Sequence, residues 1–189
     1  MHIGVMGAKG SFSEEAGRMY AHKEDIQNPT IEYLVSAEAV LSALEEKRID
    51  LAIFPIENSN GGIVIEAVYA MAKHRFAIKK IFEINVHHML LVQKGIHPEQ
   101  ITAITSHDQA LKQCRMYLKR RWPDIEIAEY ADTAKAAEDL ASGILPSTTA
   151  VIAARAAADI YGLEVLEESI QDLKFNYTSF IAAERRTDQ

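Results

Sequence analysis

Cysteine occurs once in the 189 residues, at Cys114. That excludes an internal disulfide framework and a thiolate zinc cage, and it fits a reducing compartment. No apolar run approaches the roughly 20 residues of a membrane-spanning helix, and the first residues read as a strand and not as a signal peptide, so no membrane partner is expected. Positive charge is scarce: Lys plus Arg total 20 against 27 Asp plus Glu, the net charge is -7, and the longest basic run is Lys119-Arg120-Arg121. Nucleic acid is therefore not an expected partner, because neutralised phosphates supply most of that affinity. Low-complexity linkers and fixed-period repeats are absent as well. Hydrophobic residues at 48% and charged residues at 25% are ordinary globular values, in a chain long enough to bury a core. The expectation is a soluble cytoplasmic protein.

The pattern that is present alternates strands and helices. Residues 2–6 read as a strand ending at Gly7, followed by a glycine loop and a helix for which Ser11 and Glu14 form a capping box. A second helix follows Ser36 with Val40, Leu41 and Leu44 on one face, and residues 51–54 form a strand expected to stop at Pro55. The stretch Glu57-Asn58-Ser59-Asn60-Gly61-Gly62 then reads as a loop before a helix carrying Val64, Ala67, Val68 and Met71. A second part begins near Phe76, with strands over residues 87–92, 101–104 and 125–128. Ser106 and Gln109 make a second capping box, opening a helix with Ala110, Leu111, Cys114, Tyr117 and Leu118 on its apolar face. Asp132 or Thr133 caps an alanine-rich helix, Thr149 begins another that stops at Tyr161-Gly162, and the chain ends in a strand.

This order predicts an α/β protein of two lobes of roughly 80 to 100 residues each. Lobe 1 is expected over about 1–77 plus 168–189 and lobe 2 over about 78–167, with the substrate cleft between them and the last strand returning to lobe 1.

Glu57, Asn58 and Ser59 offer a carboxylate, an amide and a hydroxyl before the double glycine Gly61-Gly62, whose backbone N–H groups are suited to an anion; the same residues are also ordinary turn formers. Ser106 reads as an N-cap, and a helix start with a hydroxyl is also an anion site. Gln113 lies two turns on and can share its face. No His pair has metal-ligand spacing, so no metal is expected. Cys114 reads as a buried structural thiol, Lys119 to Arg121 as a solvated helix end, and Trp122 before Pro123 as a helix stop with a packing role.

Taken together, Gly7-Ala8-Lys9-Gly10-Ser11-Phe12-Ser13, Pro55-Ile56-Glu57-Asn58-Ser59 with Gly61 or Gly62, Ser106-His107 with Gln109-Ala110-Leu111 and Gln113-Cys114, Tyr161-Gly162-Leu163, and Asn176 with Thr178 and Phe180 resemble the catalytic domain of prephenate dehydratase along nearly the whole chain. The resemblance implies two lobes like those of type II periplasmic binding proteins. It implies a cofactor-independent lyase that removes water and carbon dioxide from prephenate to give phenylpyruvate, on the way to phenylalanine. It also implies Thr178, Glu57, Asn58, Ser106 and Gln113 as catalytic residues, and Ser11, Ser59, Gly61, Gly62, Asn176, Ser179, Phe180 and Lys9 as substrate-binding residues.

Two departures stand out. The family's Thr-Arg-Phe reads Thr178-Ser179-Phe180, removing an arginine expected to grip a substrate carboxylate, with Lys9 and Lys174 as candidate replacements. The chain also stops soon after Phe180, within a polar tail over residues 184–189, so the family's C-terminal ACT-type domain is expected to be absent and assembly as a homodimer or homotetramer stays open. Alternatives are an arogenate dehydratase, a non-aromatising prephenate decarboxylase, or a non-catalytic ligand-binding relative.

Overall fold

The computed structural model describes residues 1–186, which form two compact units. The first comprises Met1–Asn85 and the chain from Tyr177 onward. Its elements are β1 (His2–Met6), α1 (Phe12–Lys23), β2 (Thr30–Leu34), α2 (Ala37–Glu45), β3 (Leu51–Asn58), β4 (Gly62–Ile63), α3 (Ile65–Lys73) and β5 (Phe76–Asn85); the last strand of the chain, β11 (Tyr177–Arg185), joins them. The sheet order is β2-β1-β3-β11-β5, with β4 as a short hairpin partner of β3. β1 is parallel to both neighbours, whereas β11 runs antiparallel to β3 and β5.

The first two helices start where the sequence places them, although the reciprocal bond of the Ser11–Glu14 capping box is not made, since Glu14 accepts from Gly10 and the Ser11 N–H goes to Ala8. Ser11 accepts the Glu14 N–H at 3.3 Å and Ser36 accepts the Ala39 N–H at 3.1 Å, each satisfying a donor that the first helical turn leaves unpaired. On one face of the sheet, Val40, Leu41 and Leu44 of α2 and Ala67 and Ala70 of α3 pack with Ile49, Phe54 and Ile181 in a fully buried cluster. Elsewhere in the unit Tyr20, Phe82 and Phe180 form an aromatic run, with Phe82 stacked on Phe180 at 5.9 Å.

The second unit spans Val86–Asn176. It contains β6 (Met89–Val92), β7 (Ala103–Ser106), α4 (Asp108–Gln113), α5 (Arg115–Arg121), β8 (Glu126–Glu129), α6 (Thr133–Ala141), β9 (Thr149–Ala153), α7 (Arg155–Tyr161) and β10 (Glu164–Glu167), in sheet order β10-β6-β9-β7-β8. Both faces of the sheet are covered. Leu90, Val92, Ile104 and Ile152 pack with Cys114, Leu118 and Trp122, while Met89, Leu91 and Val151 pack with Ala136, Leu140 and Ala157.

Five sequence expectations change here. Residues 149–153 are strand β9 and not the start of a helix, which begins at Arg155; a strand buried on both faces lacks the alternation that marks a half-exposed one. β3 does not stop at Pro55 but continues to Asn58, because the pairing with β11 shifts register between Ser179 and Phe180, next to the residue that has no N–H to give. The helix expected after Ser106 is two helices with a break at Cys114, where the Asp172 carboxylate accepts the N–H groups of Met116 and Tyr117 at 2.7 and 2.8 Å and so caps the second helix. The first unit also extends to Asn85 and resumes only at Tyr177, beyond the expected boundaries of 77 and 168, because all ten residues of β5 belong to its sheet. Within the second unit the two crossing segments are tied by the Val86 N–H donating to the Asn176 carbonyl at 2.7 Å. The polar tail expected over residues 184–189 is described as far as Arg186; Glu184 and Arg185 are the end of β11, and residues 187–189 lie outside the described residues.

Candidate functional site

The first unit gathers polar groups where β3 ends and β11 begins. Thr178 faces Asn58 directly across the ladder. The Asn58 amide oxygen accepts the N–H groups of Asn60 at 3.0 Å and Gly61 at 2.8 Å, which fixes the orientation of the amide. Its Nδ2 must therefore face β11, where it donates to the Thr178 Oγ1 at 2.8 Å and to the Tyr177 carbonyl at 3.2 Å. The hydroxyl of Thr178, nine-tenths buried, is thus an acceptor from Asn58, and its own hydrogen is directed elsewhere. A donated hydrogen bond also draws charge from that oxygen and stabilises it as an alkoxide. Ser59 completes the clamp: its N–H donates to the Tyr177 carbonyl at 2.8 Å and its Oγ accepts the Tyr177 N–H at 3.0 Å.

Alternation along β3 and β11 sends the neighbouring residues the other way. Glu57 lies with Ser179, not with Thr178: the Ser179 hydroxyl sits 3.4 Å from the Glu57 carboxylate and 3.3 Å from the Glu83 carboxylate on β5. A single hydroxyl hydrogen serves one of them at a time, so the position expected to hold an arginine faces two acidic groups. The structure therefore separates Glu57 from the Thr178 hydroxyl. It brings in Glu83, which strand pairing alone makes a neighbour.

The glycines act differently from expectation. The Gly61 N–H is engaged by both the side-chain oxygen and the carbonyl of Asn58, so it is not offered to an anion. Gly62, at φ +79°, supplies the left-handed residue that turns β3 into β4. In the first loop, a Cβ on Gly7 would lie 2.5 Å from the Ser11 Oγ, so glycine there is what lets the loop fold onto the start of α1. The Gly10 N–H donates to the Glu14 carboxylate at 2.7 Å, and Glu14 also accepts from Arg18 and from Tyr33. Burial opposes the charge on Glu14, yet the hydrogen bonds from Gly10, Arg18 and Tyr33 together hold its pKa below the ordinary carboxylate value. Ser11 is thus a cap in a loop whose anion is the protein's own Glu14; Lys9 is exposed beside it. Phe180 is not presented to a ligand: it is 1% exposed and belongs to the core.

In the second unit Ser106 ends β7 fully buried, its hydroxyl donating to the Ile152 carbonyl at 2.6 Å. The N-cap of α4 is instead His107, whose Nδ1 accepts the Gln109 N–H at 3.2 Å. Ser106 therefore ties β7 to β9 and does not open a helix. Gln113 is the centre of a buried network: its Oε1 accepts from the Asn176 Nδ2 at 2.8 Å and from the His88 Nε2 at 2.7 Å. Two donors on one oxygen orient the Gln113 amide and place the imidazole hydrogen on Nε2 of His88. Burial pushes the His88 pKa below its ordinary value, outweighing the hydrogen bond to Gln113, so the ring is neutral near pH 7. The His88 N–H donates to the Gln171 Oε1, its carbonyl accepts from Ile170, and the Gln113 carbonyl accepts from Asp172, fixing the segment that leads to Asn176. His88 and Gln171 carry no signal in the sequence beyond their residue types. Among the described residues no group of three or more His, Cys, Asp or Glu side chains is placed to hold a metal ion, and no helix is long and apolar enough to cross a membrane.

Among known proteins, one family model, described as prephenate dehydratase, matches residues 3–188. Arogenate dehydratase 5, chloroplastic, of Arabidopsis thaliana is 37% identical over 195 residues, an alignment covering 100% of this chain and 44% of that protein. The chain thus spans less than half the length of such curated relatives. A solved prephenate dehydratase from Arthrobacter aurescens, in complex with L-Phe, superposes with a TM-score of 0.90 at 26% identity, over 100% of this chain and 61% of that one. A putative methionine-binding lipoprotein of Bacillus subtilis shares the fold at a TM-score of 0.51 and 12% identity, over 98% of this chain and 83% of that one, in line with the expected likeness to periplasmic binding proteins.

Proposed function

The chain belongs to the prephenate dehydratase family, and from that premise we propose that it converts the cyclohexadienyl acid prephenate to phenylpyruvate, with the Thr178 hydroxyl as proton donor. In this reading the C4 hydroxyl of the ring leaves as water with the Thr178 hydrogen, and the ring carboxylate leaves as carbon dioxide. The electron pair of the broken carbon–carbon bond completes the aromatic ring, and the threonine alkoxide regains a proton from solvent. Aromatisation drives the step, so positioning and one well-aimed proton are what the protein must supply. A free threonine is too weak an acid for this near pH 7, and the Asn58 amide is the neighbour that compensates: it donates to the oxygen that must bear the negative charge.

The observation that carries the reading is the fixed direction of the Asn58–Thr178 hydrogen bond, which leaves the threonine hydrogen to be donated. The test is Thr178→Val, which keeps the shape and removes the hydroxyl. With phenylpyruvate followed by its absorbance in alkali, kcat is expected to fall by roughly 10² to 10⁴ at little cost in KM. An unchanged kcat removes Thr178 from the chemistry.

A second reading is favoured by one feature. Ser179 places a hydroxyl between the carboxylates of Glu57 and Glu83, an environment that complements an ammonium better than a carboxylate. Arogenate carries an amino group where prephenate carries a keto oxygen, and one relative at 37% identity is an arogenate dehydratase. The ratio of kcat/KM for the two substrates decides between them.

A further inference from the structure

The basic run at the end of α5 takes no part in the site described above, and its Lys119 borders an apolar groove of about 510 Å³ in the second unit. Leu118 and the indole of Trp122 are buried, and Ile125 and Ile127 extend the apolar lining toward β8, where Ile127 is 41% exposed. The indole N–H donates to the Tyr117 hydroxyl at 3.1 Å, so the polar edge of the ring is satisfied. The volume lies within the range of small-molecule sites, roughly 300–1,000 Å³, and such sites pair an apolar lining with a few placed polar groups.

Here the placed groups are all cations. Lys112 near the end of α4 and Arg115 and Lys119 on α5 line the rim, in a chain whose net charge is -7. Lys112 is engaged by Asp108 at 2.6 Å and feels Glu129 as well. Among the described residues Arg115 and Lys119 take part in no ion pair. They lie four residues apart, about one helical turn, so one carboxylate can be reached by both.

We propose that this groove binds a small carboxylate with an apolar body, alkyl or aryl: the body against Leu118, Trp122 and Ile127, the carboxylate on Arg115 and Lys119. A cation meeting the same lining faces like charges, and a neutral amphiphile gains no ion pair, so the rim selects for the anion.

Trp122 is the single tryptophan of the chain, so intrinsic fluorescence reads this groove directly. Octanoate and 3-phenylpropanoate are titrated against the intact protein, with octylamine and octan-1-ol as controls and saturation-transfer NMR of the added compound as a second readout. The expected result is a saturable change in Trp122 emission with either carboxylate. Arg115→Ala with Lys119→Ala, two exposed positions, should weaken binding by about tenfold or more, since a charge-assisted contact contributes on that scale. Absence of both signals for both carboxylates overturns the proposal, as does equal binding of octylamine or octan-1-ol, or full affinity in the double variant. Dehydratase turnover, measured separately on the same variant, tells a failure of the groove apart from a failure of the proposed activity.

Discussion

Asn58→Asp separates the hydrogen-bond geometry from mere proximity, because it exchanges one NH₂ group for an oxygen at constant shape. The retained oxygen keeps the N–H groups of Asn60 and Gly61, so the turn is held as before. The new oxygen replaces the donor that lies 2.8 Å from the Thr178 Oγ1 and 3.2 Å from the Tyr177 carbonyl. Two consequences follow. Thr178 must now donate its hydrogen to the carboxylate, reversing the bond and removing the proton the reaction needs. The Tyr177 carbonyl loses a donor and meets a negative oxygen, a net cost of roughly 1–2 kcal/mol after the stronger charge-assisted bonds from Asn60 and Gly61 are set against it. For a chain of this size that lowers Tm by about 2–8 °C, short of unfolding at assay temperature. kcat should fall by roughly 10² to 10⁴, as for Thr178→Val. Both changes remove the same proton, so the double variant Asn58→Asp with Thr178→Val should be no slower than the worse single one. Steady-state kinetics and thermal melts on the three variants and the parent are sufficient. Turnover of Asn58→Asp within about threefold of the parent, or multiplication of the two defects in the double variant, would refute the proton-direction argument.

Ser179→Arg puts a guanidinium between Glu57 and Glu83; it should add roughly 0.5–1 kcal/mol of stability as a half-exposed cross-strand pair and shift the kcat/KM ratio from arogenate toward prephenate, and an unmoved ratio would separate those carboxylates from substrate choice. His74 bridges two carboxylates of α2, with Nδ1 donating to Glu45 at 2.9 Å and Nε2 to Glu38 at 3.1 Å; burial opposes its charge, but the two hydrogen bonds and charges hold its pKa above the ordinary 6.5. Its contribution to stability is therefore complete below about pH 6.5 and is lost as pH rises through the higher folded value, so the Tm gap between the parent and His74→Gln should narrow from pH 6 to pH 9; a gap that widens contradicts the ion-pair account.

The fold was most legible where a side chain acts on its own local backbone. Ser11 was readable as a helix cap, Ser36 as the residue before a helix and Asp132 as one of two candidate caps, because in each case the capping oxygen and the N–H it accepts are three residues apart. Legibility failed where the partner is distant in sequence. The helix break at Cys114 depends on Asp172, and β9 is a strand because α6 and α7 cover one face while Cys114 and Leu118 cover the other. β2 escaped notice for a related reason: none of its five residues is fully buried, so Thr30–Leu34 has neither a buried run nor clean alternation.

The candidate site divides along the same line. Residue types at spaced motifs pointed to Asn58 and Gln113 and the family resemblance to Thr178 and Asn176, and the structure joins them as two pairs, each within its own unit. What the motifs could not convey is direction. Glu57 and Asn58 are adjacent in sequence and so were grouped as one loop, but β3 continues through both, and a strand sends consecutive side chains to opposite faces. That single fact places Glu57 beside Ser179 and Glu83 and away from the Thr178 hydroxyl, so the serine that stands where the family has an arginine lies between two carboxylates. Similarly, the hydroxyl of Ser106 looked available only while the residue was taken for a helix cap; as the last residue of β7 it must answer a carbonyl of β9. Chemistry-bearing residues are thus visible in the sequence by type, whereas the proton each can give or take is decided by strand register, which no local pattern records.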